Sequence, residues 1–220
     1  MKVKSLSGGG GLTIVRDGYP FIGGCLALAL LVGYAIHPAA GAPFAVLACY
    51  FTYFFRNPAR TIERDADVIL SPADGTVQEI VDLETDDFVR EPCTKVVIFM
   101  SVFNVHVNRS PIAGKIKVQK YFCGRFRPAY KDEVGFSNEH HLIGLENERI
   151  RITVKQIAGI LARRIVSWVT LDDDLKQGEL YGMIKFGSCL EVVMPRRVAV
   201  QVKKGDKVVG GKTVIGRIRD

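Results

Sequence analysis

The sequence predicts a mainly β domain, of the sandwich or barrel kind, preceded by an N-terminal hydrophobic helical hairpin. Three observations predict it. No Asp, Glu, Lys or Arg occurs between Asp17 and Arg56. Beyond that span, short segments rich in β-branched residues are separated by Gly, Pro or charged turns. One turn signature also occurs twice, each time ahead of such a segment. With 48% hydrophobic residues and a positive mean hydropathy, the chain is neither disordered nor composed like a purely soluble domain.

The uncharged span holds two apolar runs, Pro20 to Ile36 and Ala39 to Phe55, with His37-Pro38 as the turn between them. As helices rising about 1.5 Å per residue, each approaches the roughly 30 Å of a hydrocarbon core. A spanning hairpin is expected, and because each run is at the short limit the alternative is a re-entrant or surface hairpin. A secretory signal cut near Ala40-Gly41-Ala42 would leave the second run behind. Lys2, Lys4 and Arg16 precede the runs and Arg56, Arg60 and Arg64 follow them, so both ends are expected in the cytoplasm. Residues 1–56 thus form a membrane-associated hairpin, and residues 57–220 a β-rich domain on the cytoplasmic face of the inner membrane. The five cysteines lack metal-ligand spacing and suit free thiols in a reducing compartment. Beside such a hairpin, the net charge of +7 points to an anionic membrane and not to nucleic acid.

In the second part "TVQEIV", "KVVIFMSV", "KIKVQKYF", "RIRITVKQI", "CLEVVMP", "VAVQV" and "TVIGRI" read as strands. "ILARRIVSWV", Ile160 to Val169, fits a short helix or a strand. "ETDDF" and "YKDEVGFSNEHH" read as surface loops, the latter carrying His140 and His141. The repeated turn is "SPADGTV" at Ser71 to Val77 and "SPIAGKI" at Ser110 to Ile116: Pro presets the turn, Gly permits positive φ, and a strand follows. Ala113 stands in the second copy where Asp74 stands in the first. The turn therefore does not need the acid, which marks Asp74 for chemistry.

Beside the second copy, "FNVHVNRSP" reads as a strand with Phe103, Val105 and Val107 on one face and Asn104, His106 and Asn108 on the other. A histidine at the centre of a polar face is a candidate acid or base, although a lone His is more often structural. Gly187-Ser188 sits between two apolar segments and lacks the G-x-S-x-G setting of a hydrolase serine. A strained Gly-Ser link permits another chemistry: the hydroxyl attacks the preceding carbonyl, the glycine offering close approach and unusual dihedrals. The ester can then eliminate to dehydroalanine, which hydrolyses to a pyruvoyl group.

These segments together resemble the phosphatidylserine decarboxylase proenzymes of the short bacterial and archaeal type. The likeness is carried by "FFRNPAR", "SPADG", "FNVHVNRSP", "ENER", "QIAGILARRIV" and "GELYGMIKFGSCLEVVMP", in that order. The resemblance implies self-cleavage between Gly187 and Ser188, giving a heterodimer of residues 1–187 (the β chain) and 188–220 (the α chain). It implies that Ser188 becomes the pyruvoyl cofactor, with no metal. In longer members an acid and a histidine assist processing. Asp74 matches the acid, and His106 matches the earlier histidine of a Y-H-x-x-H segment whose later position is Arg109 here. Arginine stays protonated and is a poor base. The base for self-cleavage is therefore open between His106 and either His140 or His141.

The implied reaction joins the amine of phosphatidylserine to the pyruvoyl carbonyl as a Schiff base, releases CO2 and yields phosphatidylethanolamine, with His106 as the expected proton donor. Arg56, Arg60, Arg196 and Arg197 are candidates to meet the lipid phosphate. Three rivals predict otherwise. The segments "SPADGTV" and "VKKGDKVVGGKTVIGRI" look like a lipoyl-type carrier, but "VVMPRRV" has no lysine at the tip, so the likeness is one of architecture to lipoyl-type hybrid barrels. A zinc peptidase needs H-x-H where this chain has His106-Val107-Asn108. A membrane-anchored binding protein would keep its chain intact.

Overall fold

Two units make up the chain, Met1–Ala59 and Arg60–Asp220, in a computed structural model that describes residues 13–124, 138–159, 164–185 and 188–219. In the first unit, β1 (Thr13–Ile14) pairs antiparallel with β2 (Arg56–Asn57) and ties together the two ends of a helical hairpin, α1 (Tyr19–Ala35) and α2 (Pro38–Phe54). Proline begins α2 because its fixed φ suits a first turn that has no hydrogen bond to give up. His37 caps it, Nδ1 accepting from the Ala39 amide at 3.2 Å. The helices touch where small residues meet: a Cβ on Gly41 would lie 2.4 Å from the Ala29 carbonyl. Apolar side chains point outward all round, with Leu30 75% and Leu31 64% exposed. The stretch Arg16–Ala35 is long and apolar enough to cross a membrane.

The second unit is a set of antiparallel strands. In chain order they are β3 (Val68–Leu70), β4 (Gly75–Leu83), β5 (Cys93–Met100), β6 (Val107–Arg109), β7 (Gly114–Phe122), β8 (His140–Glu146) and β9 (Arg151–Ala158). Then come β10 (Arg164–Ser167), β11 (Asp174–Leu175), β12 (Leu180–Lys185), β13 (Ser188–Pro195), β14 (Val198–Val200), β15 (Lys207–Val208) and β16 (Val214–Ile218). Eight of them form one sheet that curls as a half-barrel, in the order β11-β7-β8-β9-β13-β5-β4-β15. Two three-stranded sheets, β10-β12-β6 and β14-β16-β3, complete the unit. The inward residues of the large sheet, among them Ile98, Ile143, Ile152, Val154, Leu190 and Val192, are fully buried and form one core.

The repeated turn organises this unit as two related halves. Leu70 N donates to Pro111 O at 3.0 Å, and reciprocally Arg109 N donates to Pro72 O at 2.9 Å. In each turn the serine hydroxyl donates to the carbonyl two residues on, at 2.7 Å. A glycine with positive φ then closes each half, Gly211 N on Ser71 O and Gly178 N on Ser110 O. The strand pairings follow suit: β16 with β3 and β15 with β4 in one half, β12 with β6 and β11 with β7 in the other. A repeat legible over seven residues in the sequence is the visible part of a duplicated supersecondary unit.

Three expectations need correction. The glycines of the repeated turn, Gly75 and Gly114, do not take positive φ; they open strands where a Cβ would lie 2.3 Å from the Phe99 carbonyl and 2.7 Å from the Glu146 carbonyl. His140 and His141 belong to β8 and are 9% and 2% exposed, not part of a solvated loop; residues 130–137 of that predicted loop lie outside the described residues. Polar residues there are satisfied by bonds inside the sheet, which composition does not reveal. The segment "FNVHVNRSP" is a strand only from Val107. Ahead of it Ser101 to Asn104 form a turn, Asn104 N donating to Ser101 O and Asn104 Oδ1 accepting from Ser101 N. Of the ambiguous "ILARRIVSWV", Arg164–Ser167 is strand β10 and residues 160–163 lie outside the described residues.

Candidate active site

Ser188 is the first residue of β13, paired through the backbone with Ala158 of β9 on one side and Met100 of β5 on the other. Alternation along β13 turns Ser188 and Leu190 into the interior and Cys189 to the other face. There Cys189 packs with Val97 and Ile157, and burial pushes its thiol up to about 12. The Ser188 side chain is fully buried, its hydroxyl donating to the Met100 sulfur at 3.4 Å. Gly187, the other half of the expected cleavage link, lies outside the described residues.

His106 stands just ahead of β6 and is also fully buried. Its Nδ1 lies 2.9 Å from the Asn104 carbonyl, so the preceding turn sets the ring's orientation. Its own carbonyl accepts from Ile184 N at 3.3 Å, so β12, the strand leading toward Ser188, runs beside it. Asp74 ends the first repeated turn. Thr76 and Cys189 both pair with Phe99 from opposite sides, so Asp74 is at the same end of the large sheet as Ser188, two strand spacings or about 10 Å away.

A bidentate ion pair holds the Asp74 carboxylate, with Arg60 Nη1 on Oδ1 at 2.6 Å and Nη2 on Oδ2 at 2.7 Å. The Gly210 amide adds a third bond at 2.8 Å. Arg109 lies close by, its Nη1 on the Gly178 carbonyl at 3.1 Å. Burial, and then the neighbouring Arg60 charge, push its guanidinium down to about 10, with Asp74 acting in the opposite direction. At neutral pH Arg109 is still a cation and not a base.

The two β8 histidines face opposite ways. His140 stacks on Phe122 with ring centroids 4.5 Å apart, Nδ1 at 2.8 Å from the Asn138 carbonyl. His141 points inward, and burial holds it below the ordinary imidazole range. Its Nε2 lies 3.1 Å from Gln119 Nε2 and its Nδ1 2.9 Å from Gln156 Oε1. Gln156 Nε2 in turn donates to Asn108 Oδ1 at 2.8 Å, and Asn108 Nδ2 reaches the Met100 sulfur at 3.9 Å. Sequence reading missed Gln156, and it named Arg60 for the lipid phosphate and not as the partner of Asp74. For Gln156 a signal existed: in "RITVKQIA" the glutamine falls at an inward position that apolar residues otherwise fill. For Arg60 there was none, because its partner is supplied by a distant turn.

Arg196 and Arg197 form the two-residue turn between β13 and β14, at the far end of β13 and about 26 Å from Ser188. A lysine-bearing carrier would present its lysine at such a tip, and this tip has none. With a buried serine and a carboxylate at one end of the large sheet and a buried histidine beside β12, the domain has the groups of a catalytic β protein and lacks the lysine of a carrier. Comparison makes this specific. The family model for phosphatidylserine decarboxylase matches residues 47–216. Proteins named phosphatidylserine decarboxylase proenzyme are similar to the chain along most of its length. That of Symbiobacterium thermophilum is 45% identical, covering 93% of this chain and 95% of its own. The protein of Carboxydothermus hydrogenoformans is 42% identical, covering 94% and 98%, and that of Geobacter metallireducens 40%, covering 92% and 95%. The chain belongs to the phosphatidylserine decarboxylase family.

Proposed function

We propose that the chain is a proenzyme that cuts itself between Gly187 and Ser188 and, once cut, decarboxylates phosphatidylserine to phosphatidylethanolamine. The observation that carries this reading is the placement of Ser188: a buried hydroxyl at the start of a central strand, whose acceptor among the described residues is the weakly accepting sulfur of Met100. A serine kept for stability would be matched to a strong acceptor. The site suits a pyruvoyl group at residue 188, because that group has no hydroxyl to satisfy and the Asn108 amide donates to the same Met100 sulfur that takes the Ser188 hydroxyl. Such a group supplies a ketone that takes up the substrate amine and draws off the electrons freed as CO2 leaves.

The chain's own residues do the rest. His106 holds or delivers the proton that the reaction needs. Asp74 acts through Arg60, fixing the turn that borders this end of the sheet and balancing the charges of Arg60 and Arg109. Burial of the serine excludes water until the link has rearranged. The lipid phosphate lies only a few bonds from the amine that reacts, so Arg196 and Arg197, about 26 Å from Ser188, are assigned no part in holding it. Arg60, committed to Asp74, is likewise left out. The apolar first unit supports residence at the inner membrane, and the flanking basic residues support the cytoplasmic face. Vesicles containing phosphatidylserine labelled in its carboxyl group are the test: wild-type protein is expected to release labelled CO2, and Ser188→Ala none. Release by the variant at the wild-type rate would overturn the reading.

A further inference from the structure

A line of buried side chains crosses the interior toward Ser188 and ends at Asn108. It runs from Gln119 through His141 and Gln156 to Asn108, each step a hydrogen bond between 2.8 and 3.1 Å. Gln156 and Asn108 are fully buried and His141 nearly so. The line has a direction. Gln119 offers its amide N–H to His141 Nε2, which leaves the neutral ring's proton on Nδ1. That proton goes to Gln156 Oε1, and the Gln156 amide N–H goes to Asn108 Oδ1. The last group, Asn108 Nδ2, is thereby fixed as a donor pointing away from the line.

The fold makes room for this arrangement. Gly182, which pairs with Asn108 across β12 and β6, would carry a Cβ 3.3 Å from Gln156 Nε2 and 2.5 Å from the Val166 carbonyl. At its open end the line meets the Met100 sulfur at 3.9 Å, the same sulfur that takes the Ser188 hydroxyl at 3.4 Å. Two good donors thus converge on one poor acceptor. That arrangement costs stability unless a stronger acceptor arises between them.

We propose that Asn108, oriented by Gln156 and His141, is a positioning residue for self-cleavage: its amide N–H moves from the Met100 sulfur to the Ser188 oxygen as that oxygen gains negative charge. This rests on the self-cleavage reading above. In the step concerned, Ser188 Oγ gives its proton to a base and bonds to the preceding carbonyl carbon. The amide C–N bond then breaks and the proton returns to the freed amine of residue 188, so no other reactant is consumed. A donor that is already oriented when the charge appears stabilises it without reorganisation. The neutral His141 end keeps the line from reversing.

The test is a time course of cell-free synthesis in which the fraction of uncut chain is followed on denaturing gels. Asn108→Asp keeps the shape and the acceptor for Gln156 but, when ionised, has no donor to give. Its uncut chain is expected to persist about 100-fold longer than wild type at pH 8. The gap should narrow as pH falls to 6, because a protonated carboxyl regains an O–H donor. Gln156→Glu, whose carboxylate turns the Asn108 donor toward itself, should slow cutting in the same direction. A merely structural role would give a defect that acid does not relieve. Such a constant defect, or variants that cut as fast as a wild-type chain that cuts, would overturn this inference alone. A wild-type chain that never cuts would overturn the self-cleavage reading and this inference with it.

Discussion

Asp74 and Arg60 are the residues on which the charge balance of the site turns. Their side chains are 15% and 7% exposed, and Arg109 adds a second buried cation beside them. Removing the carboxylate leaves two arginines facing each other without a counter-charge. Asp74→Asn is therefore expected to destabilise the domain by about 3 kcal/mol, read as a lowered urea midpoint. A midpoint equal to that of wild type would show that the pair holds nothing together. His141 sets a pH dependence. Burial keeps it below the ordinary value of about 6.5, and the Gln156 bond opposes that only in part. Above pH 6.5 neither folded nor unfolded chain carries a proton there. Below it the unfolded chain takes one that the folded chain refuses, so stability is lost as pH falls. The melting temperature should drop between pH 7 and 5, and His141→Gln should flatten that drop, with His140 contributing the remainder in the same direction.

Among the elements, β13 decides how a cut chain would behave. It lies between β9 and β5 and pairs with both along most of its length. The residues after it add β15 to β4 and β16 to β3. A fragment starting at residue 188 would therefore be woven into two sheets, and the two fragments are expected to elute together in size exclusion and to separate only in denaturant. Separation in plain buffer would contradict this topology. Strands with β-branched residues at alternating positions, such as β4, β9 and β13, were legible in the sequence. The strand β8 was not, because "HHLIGLE" opens with two histidines that look solvated but are bonded within the fold, His140 to the Asn138 carbonyl and His141 to Gln119 and Gln156. The site was legible in part for the same reason. Gly187-Ser188, Asp74 and His106 stand out locally, whereas Arg60 and Gln156 gain meaning only from partners far along the chain.

For the whole molecule, the division into an apolar hairpin unit and a β unit matches a reaction whose substrate is a membrane lipid. Leu30 and Leu31 are largely exposed on α1. Replacing both by arginine should leave the β unit folded and weaken co-sedimentation with phospholipid vesicles, since each charge costs about 2.5–3.5 kcal/mol at the centre of a bilayer-spanning helix. Undiminished co-sedimentation would mean that the hairpin does not enter lipid. The central claim is that one peptide bond of this chain rearranges by itself, and intact-mass measurement of the purified protein tests it most directly. The account predicts two polypeptides, residues 1–187 and a 188–220 fragment whose first residue is a pyruvoyl group, and a single uncut chain from Ser188→Ala. A single uncut chain in wild-type protein that still releases CO2 from phosphatidylserine would contradict it.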